Sequence, residues 1–420
     1  MFRLFRPATP PSALTVVLAL SFLLGLQPVA TDLYLPALPQ MPAALGVNAT
    51  TVQWTLSIVV MAFGLGQMMW GPISDRIGRR PALLTGLSLF VLASAFTVWA
   101  PTFDVLLVAR AAQGLGLAAA VVCGRAMIRD LYHPQEGARV LSKGLSGLGV
   151  IALVGPILGG QVAAHLGWRA TLGVVGLFSL CGLLYIAWAL PESLAHERRQ
   201  VSQSGAWHLR QWGSVFAHPM FRAYTALTSS TYGGLYVFLA ASSFVFIDIL
   251  QGSRQAYGLL LASMSLSYLL GTVLCRRWLV RRGLPGTVRM GAAFSMASGL
   301  WCVGLTLTVW LSGTTPPIWS LLPGVWLYAV GHGLHQPCSQ AGIVAPFPSQ
   351  AGAASALSGF LMSALAVLIG ALLGWWMRAP QWAGTIYPLT LGMGLGGFIT
   401  AWIGLSLVQR DGHPATASAS

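Results

Sequence analysis

The chain has 420 residues, 55% hydrophobic and only 8% charged, with a mean hydropathy of +0.72. A soluble domain carries roughly 25% charged residues to cover its surface; too few are present here to wet a globule of this size, so lipid must be the solvent for most of the surface. The formal charge of +14 does not point to nucleic acid, because the arginines stand in short clusters between apolar runs and no basic tract with interleaved aromatics occurs.

Apolar runs of spanning length fall at about 13–35, 51–71, 81–99, 104–127, 140–164 and 170–190. They resume at about 221–248, 256–275, 288–311, 318–340, 351–376 and 382–408. These twelve spans predict an all-α polytopic membrane protein. The first is followed by many others, so a cleaved signal peptide is not expected. Span 10 is the weakest, interrupted by His332, His335 and Pro337. The 49 glycines and 24 prolines suit membrane helices, where close approach and kinks are tolerated. Cys123, Cys181, Cys275, Cys302 and Cys338 lie in or beside apolar segments and no Cys-x-x-Cys occurs, so neither a disulfide framework nor a cysteine zinc site is expected.

The only long polar stretch between spans is 191–220, with Glu192, Glu197, Arg198, Arg199 and Arg210. It divides the chain into six-helix bundles at 1–190 and 221–410, joined by a cytoplasmic linker and followed by a disordered tail at 411–420. A weak repeat supports the division: Gly71-x-x-x-Asp75-Arg76 after span 2 returns as Gly271-x-x-x-Cys275-Arg276 after span 8. Duplicated halves of this kind place a binding site between them near mid-membrane. All 23 Lys and Arg except Arg110, Arg169, Arg254 and Arg378 fall in segments on one side, which puts both termini in the cytoplasm.

Within the spans, Arg110 is the most informative residue. An Arg at mid-span costs about 2.5–3.5 kcal/mol even on a lenient insertion scale, so it should face a cavity and have a partner. The alternative is snorkelling to the outer interface, since Asp104 opens the same span. Asp32 is the one acid inside the first six spans away from their ends. Such a carboxyl can load and release a proton unless a nearby cation holds it ionised. The alternative for Asp32 is an interfacial acid before the helix stop at Pro36 and Pro39, because it lies ~30 Å along a straight helix from Ser12.

Gly71-Pro-Ile-Ser-Asp75-Arg76-Ile-Gly78-Arg79-Arg80 combines a tight turn with a carboxylate that can pair with an Arg or face a helix N-terminus. A generic basic turn explains the arginines, but not Asp75 with both glycines at fixed spacing. The stretch resembles the signature loop of the major facilitator superfamily, which latches the two halves on the cytoplasmic side. Gly155-Pro156-Ile-Leu-Gly159-Gly160 is similar to the antiporter motif of that superfamily's exporters, with Ile151 where a further glycine is usual. Three more stretches carry the likeness: Ala30-Thr-Asp32-Leu-Tyr34-Leu-Pro36-Ala-Leu-Pro39, Leu106-Leu-Val-Ala-Arg110-Ala-Ala-Gln113-Gly114-Leu-Gly116 and Arg129-Asp130-Leu-Tyr132. Together they resemble the twelve-span drug:proton antiporters of the bicyclomycin/chloramphenicol (Bcr/CflA) subfamily, densely over 20–190 and only architecturally beyond.

The resemblance implies a major facilitator fold and proton-coupled antiport of small, largely apolar drugs by alternating access. It implies that Arg110 sits near the central cavity and toggles Asp32 on the neighbouring span. It also implies a monomer in the inner membrane with no cofactor beyond the proton gradient. Candidate cavity residues are Tyr34, Gln113, Tyr232, Tyr236, Tyr328 and His332, since aromatic walls suit flat apolar or cationic solutes; packing between helices or interfacial belts is the competing reading. His332, His335 and Cys338, at i, i+3 and i+6, have metal-ligand chemistry but no acidic residue near in sequence, so no metal is expected. Asp248 reads as solvated surface at the end of span 7.

An ATP-driven pump is excluded, because the only lysine, Lys143, follows Ser142 and forms no Walker loop. No zinc-protease helix or Gly-x-Ser-x-Gly elbow occurs, so an enzyme is not expected. Export of an endogenous metabolite, uptake by symport and sensing on the same scaffold remain the alternatives.

Overall fold

The computed structural model describes residues 11–194 and 205–413, which are almost wholly α-helical. Ten helices are long and apolar enough to cross a membrane by length and composition. Two features bring that number to twelve. The helical run Arg254–Ser312 has 59 residues, which as a straight rod would reach ~88 Å, about three hydrocarbon cores. It turns at Gly283, whose φ of 64° and ψ of −174° no other residue type adopts easily, and Pro285 follows. The second feature is Leu322–Val344, 23 residues long and therefore able to span, but diluted by His332, His335 and Gln336.

The spanning helices of the first half are α1 (Ala13–Thr31), α2 (Trp54–Ile77), α3 (Arg79–Trp99), α4 (Phe103–Leu131), α5 (Pro134–His165) and α6 (Gly167–Ala189). Those of the second half are α7 (Pro219–Ser243), α8 and α9 (the arms 254–282 and 284–312), α10 (Leu322–Val344), α11 (Ala351–Arg378) and α12 (Tyr387–Leu405). Local chemistry sets their ends. Ser12 and Ser253 accept from the third amide beyond them, at 3.2 and 3.1 Å. Gly313, left-handed at φ 64°, stops α9. Pro36 and Pro39 stop α1, and the chain continues as a 3-10 turn over Leu35–Gln40.

The chain divides into two compact units, Met1–Ser204 and Gly205–Ser420. Each has its own apolar core, one around Leu23, Phe90 and Leu117, the other around Phe221, Leu227 and Leu334. The same packing scheme recurs in both. In the first unit α1 packs on α5, α4 on both α2 and α3, and α3 on α6. In the second, α7 packs on α11, α10 on both arms of the long helix, and α12 on that helix in turn. Leu92, Phe96, Val108, Leu177, Leu300, Trp310 and Leu395 remain exposed, as lipid-facing side chains do.

Two boundaries differ from those expected. A helix at Gly205–Ala217 occupies part of the 191–220 linker, and α7 begins at Pro219 because a proline fits the first turn of a helix. The linker residues Glu197, Arg198 and Arg199 lie outside the described residues. A short helix, Leu407–Asp411, runs into the expected tail, of which 414–420 lie outside the described residues.

Backbone contact sets how closely the first-half helices pack. A Cβ on Gly116 of α4 would stand 2.9 Å from both Cβ and N of Phe90 on α3, and one on Gly114 would stand 2.8 Å from Ala62 Cβ on α2. Gly71, by contrast, has nothing within 4 Å of such an atom. Gly116→Ala is expected to cost about 1–3 kcal/mol of overpacking and to lower the melting temperature in detergent, while Gly71→Ala should melt like the parent. Equal melting of the two variants would mean that α3 and α4 are not in backbone contact.

Candidate functional site

Arg110 has no exposed surface at all. Its guanidinium reaches two other helices of the first unit and one side chain of its own helix. Nε donates to the Thr55 carbonyl of α2 at 3.2 Å, and Nη2 to the Ala30 carbonyl of α1 at 3.0 Å. Nη1 donates to Gln113 Oε1 at 2.9 Å, one turn along α4. The Tyr34 ring lies under the cation, 4.2 Å from its centroid. Snorkelling is thereby overturned: the side chain turns inward to acceptors and leaves none of itself at an interface.

The helix stop explains why α1 can hold a cation. The last four carbonyls of a helix have no intrahelical partner, and the dipole there is negative. With α1 ended by the coming prolines, the Pro28 carbonyl takes the Asp32 amide at 2.7 Å, and the Ala30 carbonyl is left for Arg110. Partners of Arg110 are fixed in turn. Gln113 Nε2 donates to Ser94 Oγ on α3 at 2.8 Å, and Ser94 donates to the Phe90 carbonyl at 2.7 Å. Thr55 gives its proton to the Val52 carbonyl at 2.7 Å, so the Tyr34 hydroxyl is the donor in its 3.1 Å bond to Thr55 Oγ1. Tyr34 and Gln113, assigned from the sequence to a cavity wall, are fully buried and engaged with Arg110.

Asp32 is partly exposed, directly after the last turn of α1. Its Oδ1 accepts from the Thr31 hydroxyl at 2.7 Å. Arg110 is not paired with it here; the cation holds the backbone two residues earlier. The two groups thus share one helix end without touching. Thr55, Ser94 and Ala30 were not singled out by sequence, since a lone hydroxyl in an apolar run or a backbone carbonyl leaves no motif.

The glycines of α5 form a seam against α1. Gly144 faces Leu20, Gly147 faces Ser21, and at Gly159 a Cβ would run into the Leu33 carbonyl. Ile151, where a glycine is usual, lodges over Gly25, so the small residue has moved to the facing helix. Pro156 lies inside α5, Gly160 is buried, and Gly155 has open space beside it. Because Leu33 immediately follows Asp32, the Gly159 contact fixes the backbone that carries the carboxyl.

The loop between α2 and α3 is tied down within its own unit. Gly78 has φ 104° and ψ 155°, which a glycine tolerates and which turns α2 into α3 without a linker. Arg79 pairs with Asp75, bonds Asp130 Oδ2 at 3.2 Å and Ser74 Oγ at 2.7 Å, and its amide donates to Glu192 Oε1 at 2.9 Å. Arg80 donates to the Leu190 and Ala187 carbonyls at 2.8 and 2.7 Å, closing the end of α6. Arg76 is exposed. Asp130 and Glu192 join this network although neither was assigned to a site from the sequence; the Arg129-Asp130 pair was the available signal.

In the second unit α7 meets α10 through hydroxyls and rings. Tyr328 donates to the Thr231 carbonyl at 2.9 Å in space that Gly234 leaves open. His332 Nδ1 lies 3.1 Å from Thr231 Oγ1, and its ring is 5.5 Å from that of Tyr268. Thr228 donates to Gln336 Oε1 at 3.0 Å. The rings of Tyr232 and Tyr236 are 6.4 Å apart, and both are buried. His332, His335 and Cys338 face different neighbours: α7, the Val288 carbonyl of α9 at 3.3 Å, and Cys275 of α8. Tyr224 holds the segment after α12 through the Gly412 carbonyl at 3.1 Å, and Asp248 is exposed.

The family model described as Major Facilitator Superfamily matches residues 20–371. The chain belongs to the Major Facilitator Superfamily. It is 31% identical over 409 residues to the chloramphenicol resistance protein of Pseudomonas aeruginosa, covering 95% of this chain and 91% of that one. It is 26% identical over 361 residues to the bicyclomycin resistance protein homolog of Haemophilus influenzae, covering 86% and 89%. Its fold matches the crystal structure of a D-xylose-proton symporter with a TM-score of 0.73 at 13% identity, covering 94% of this chain and 97% of the other. This facilitator is therefore a multi-pass membrane protein and not an enzyme, and its helices repeat in six-helix halves.

In this facilitator the Arg110 cluster joins three helices through a charge with no carboxylate partner among the described residues. Arg110→Ala would strip the donor from three buried acceptors, each worth about 1–3 kcal/mol when orphaned. It should lower folded yield and melting temperature strongly, and Gln113→Ala should do so by less. Arg110→Lys should rescue only in part, since one ammonium cannot serve a planar fork of acceptors. An alanine variant that accumulates and melts like the parent would remove the cluster's structural role.

Proposed function

We propose that the protein is a proton-coupled antiporter exporting small, largely apolar drugs of the chloramphenicol or bicyclomycin kind by alternating access. The observation that carries this reading is the shared end of α1, where Asp32 stands two residues beyond the carbonyl that holds Arg110. A change in how Arg110 is held there alters the charge felt by a carboxyl able to exchange a proton. The names of the two resistance relatives support the drug class. The antiporter-type motif Gly155, Pro156, Gly159 and Gly160 supports export rather than uptake.

In this reading Asp32 carries the proton and Arg110 sets when it is released. Tyr232, Tyr236, Tyr328 and His332 supply second-half surface for the drug, while Tyr34 and Gln113 act through Arg110. Gly71, Asp75, Arg76, Gly78, Arg79 and Arg80 bias which side is open. The protein works as a monomer in the inner membrane, both termini cytoplasmic, with the proton gradient as its only energy source and no cofactor.

Everted vesicles with an imposed proton gradient test the coupling. Chloramphenicol should accumulate only with the gradient, and Asp32→Asn should abolish that accumulation while leaving drug binding, because the amide keeps the shape but cannot cycle a proton. Undiminished driven transport by Asp32→Asn would remove Asp32 from the mechanism, and drug movement in the proton's direction would make the protein a symporter.

Asp75→Asn should act on conformation instead. A shift of about 1–2 kcal/mol, the size of a partly buried charge–dipole effect, would change the inside-open fraction several-fold. Cysteine accessibility from the two membrane sides reads that fraction; if it is unchanged while transport falls, a chemical role for Asp75 replaces the conformational one.

A further inference from the structure

Two cysteines that the proposed mechanism does not use meet inside the second unit. Cys275 on α8 and Cys338 on α10 have their sulfurs 3.6 Å apart, and the residues are 2% and 1% exposed. Both are free thiols. The backbone dictates the approach. About one turn earlier on each helix, Gly271 and Gly333 oppose each other so closely that a Cβ on Gly271 would stand 3.0 Å from the Gly333 Cα. With no side chain between them the helices touch, and the residues about a turn further on converge.

The repeat shows how unusual this position is. Cys275 takes the place in the second half that Asp75 takes in the first. Asp75 is paired with Arg79, four residues on. The position four residues beyond Cys275 is Leu279, an exposed apolar residue. The second half has thus replaced an ion pair across the α2–α3 turn by a thiol pair between α8 and α10.

We infer that Cys275 and Cys338 form a redox-active dithiol, which hydrogen peroxide converts to a disulfide tying α8 to α10. The sulfurs must close from 3.6 Å to about 2.05 Å, a movement that side-chain rotation on touching helices can supply. Cys275 is the entry point, because exposed Arg276 and Arg277 follow it whereas buried Ser339 follows Cys338. Its thiolate sulfur attacks one peroxide oxygen and the O–O bond breaks. A sulfenic acid remains on Cys275, and the departing hydroxide leaves as water with the proton that the thiol gave up. The Cys338 sulfur then attacks the Cys275 sulfur and the S–O bond breaks. The leaving hydroxide takes the Cys338 proton as a second water. Each thiol sulfur loses one electron and the peroxide gains two.

The test uses the full chain reconstituted in liposomes and treated with hydrogen peroxide. Free thiols are then alkylated after denaturation, with and without prior dithiothreitol, and mapped by peptide mass spectrometry. Glutathione added to the same samples serves as the standard for oxidant exposure. Cys275 and Cys338 should lose alkylation together, appear as one cross-linked peptide pair lacking two hydrogens, and recover fully with dithiothreitol. In Cys275→Ala, Cys338 should keep its thiol at the same dose. In Cys338→Ala, Cys275 should stop at a sulfenic acid that dimedone traps, which covers the case in which the first variant does not fold. The inference is overturned if both thiols stay alkylatable after the added glutathione has been oxidised. Equal loss of Cys338 without Cys275, or no dimedone adduct in Cys338→Ala, overturns it equally.

Discussion

A guanidinium with no exposed surface and, among the described residues, no carboxylate partner constrains the whole first half. Removing such a cation from water costs several kcal/mol even after relaxation. Here the compensation is three hydrogen bonds, each worth about 1.5–3 kcal/mol when one partner is charged, and a ring face below. Those bonds exist only if α1 ends where it does, α2 brings Thr55 alongside, and α3 holds Gln113 through Ser94. The site is therefore a joint as much as a site. Moving any of these helices leaves either a buried charge or a buried carbonyl unsatisfied.

Backbone contact does for the packing what that charge does for the site. Without water there is no hydrophobic force between helices in a membrane, so small residues that let backbones approach supply the adhesion. Gly114 and Gly116 bring α2 and α3 onto α4, and Gly144, Gly147 and Gly159 bring α5 onto α1. The exchange of small residue between Gly25 and Ile151 shows that the seam needs a matched pair of surfaces, not a glycine at a given position. The same scheme reappears in the second half with Gly271 and Gly333, where it also brings two thiols together.

The halves differ in what they bury. The first buries the Arg110 cation completely and keeps the Asp32 carboxyl beside it at the end of α1. The second joins α7 to α10 through Thr228 and Gln336, Thr231 and His332, and the Tyr328 hydroxyl on the Thr231 carbonyl. A single fold repeated twice thus carries different chemistry in each copy.

Much of this was written in the amino-acid order. Apolar runs of bilayer length dictate helices, because a backbone in lipid must satisfy its own hydrogen bonds, and the resemblance at 71–80 and 155–160 named the superfamily. Even the doubtful tenth span was marked by its two histidines. Which way a side chain turns is another matter. Arg110 could reach an interface or an interior, and only the arrangement of α1, α2 and α4 supplied carbonyl acceptors inside. Tyr34 and Gln113 read as cavity residues, and only the folded chain shows both buried against Arg110. Cys275 and Cys338, 63 residues apart in the chain, leave no local signal of their contact. Composition and periodicity act along a helix, so the sequence by itself determined the helices and their family. Charge satisfaction and sulfur proximity act between helices, so only the tertiary structure decided them.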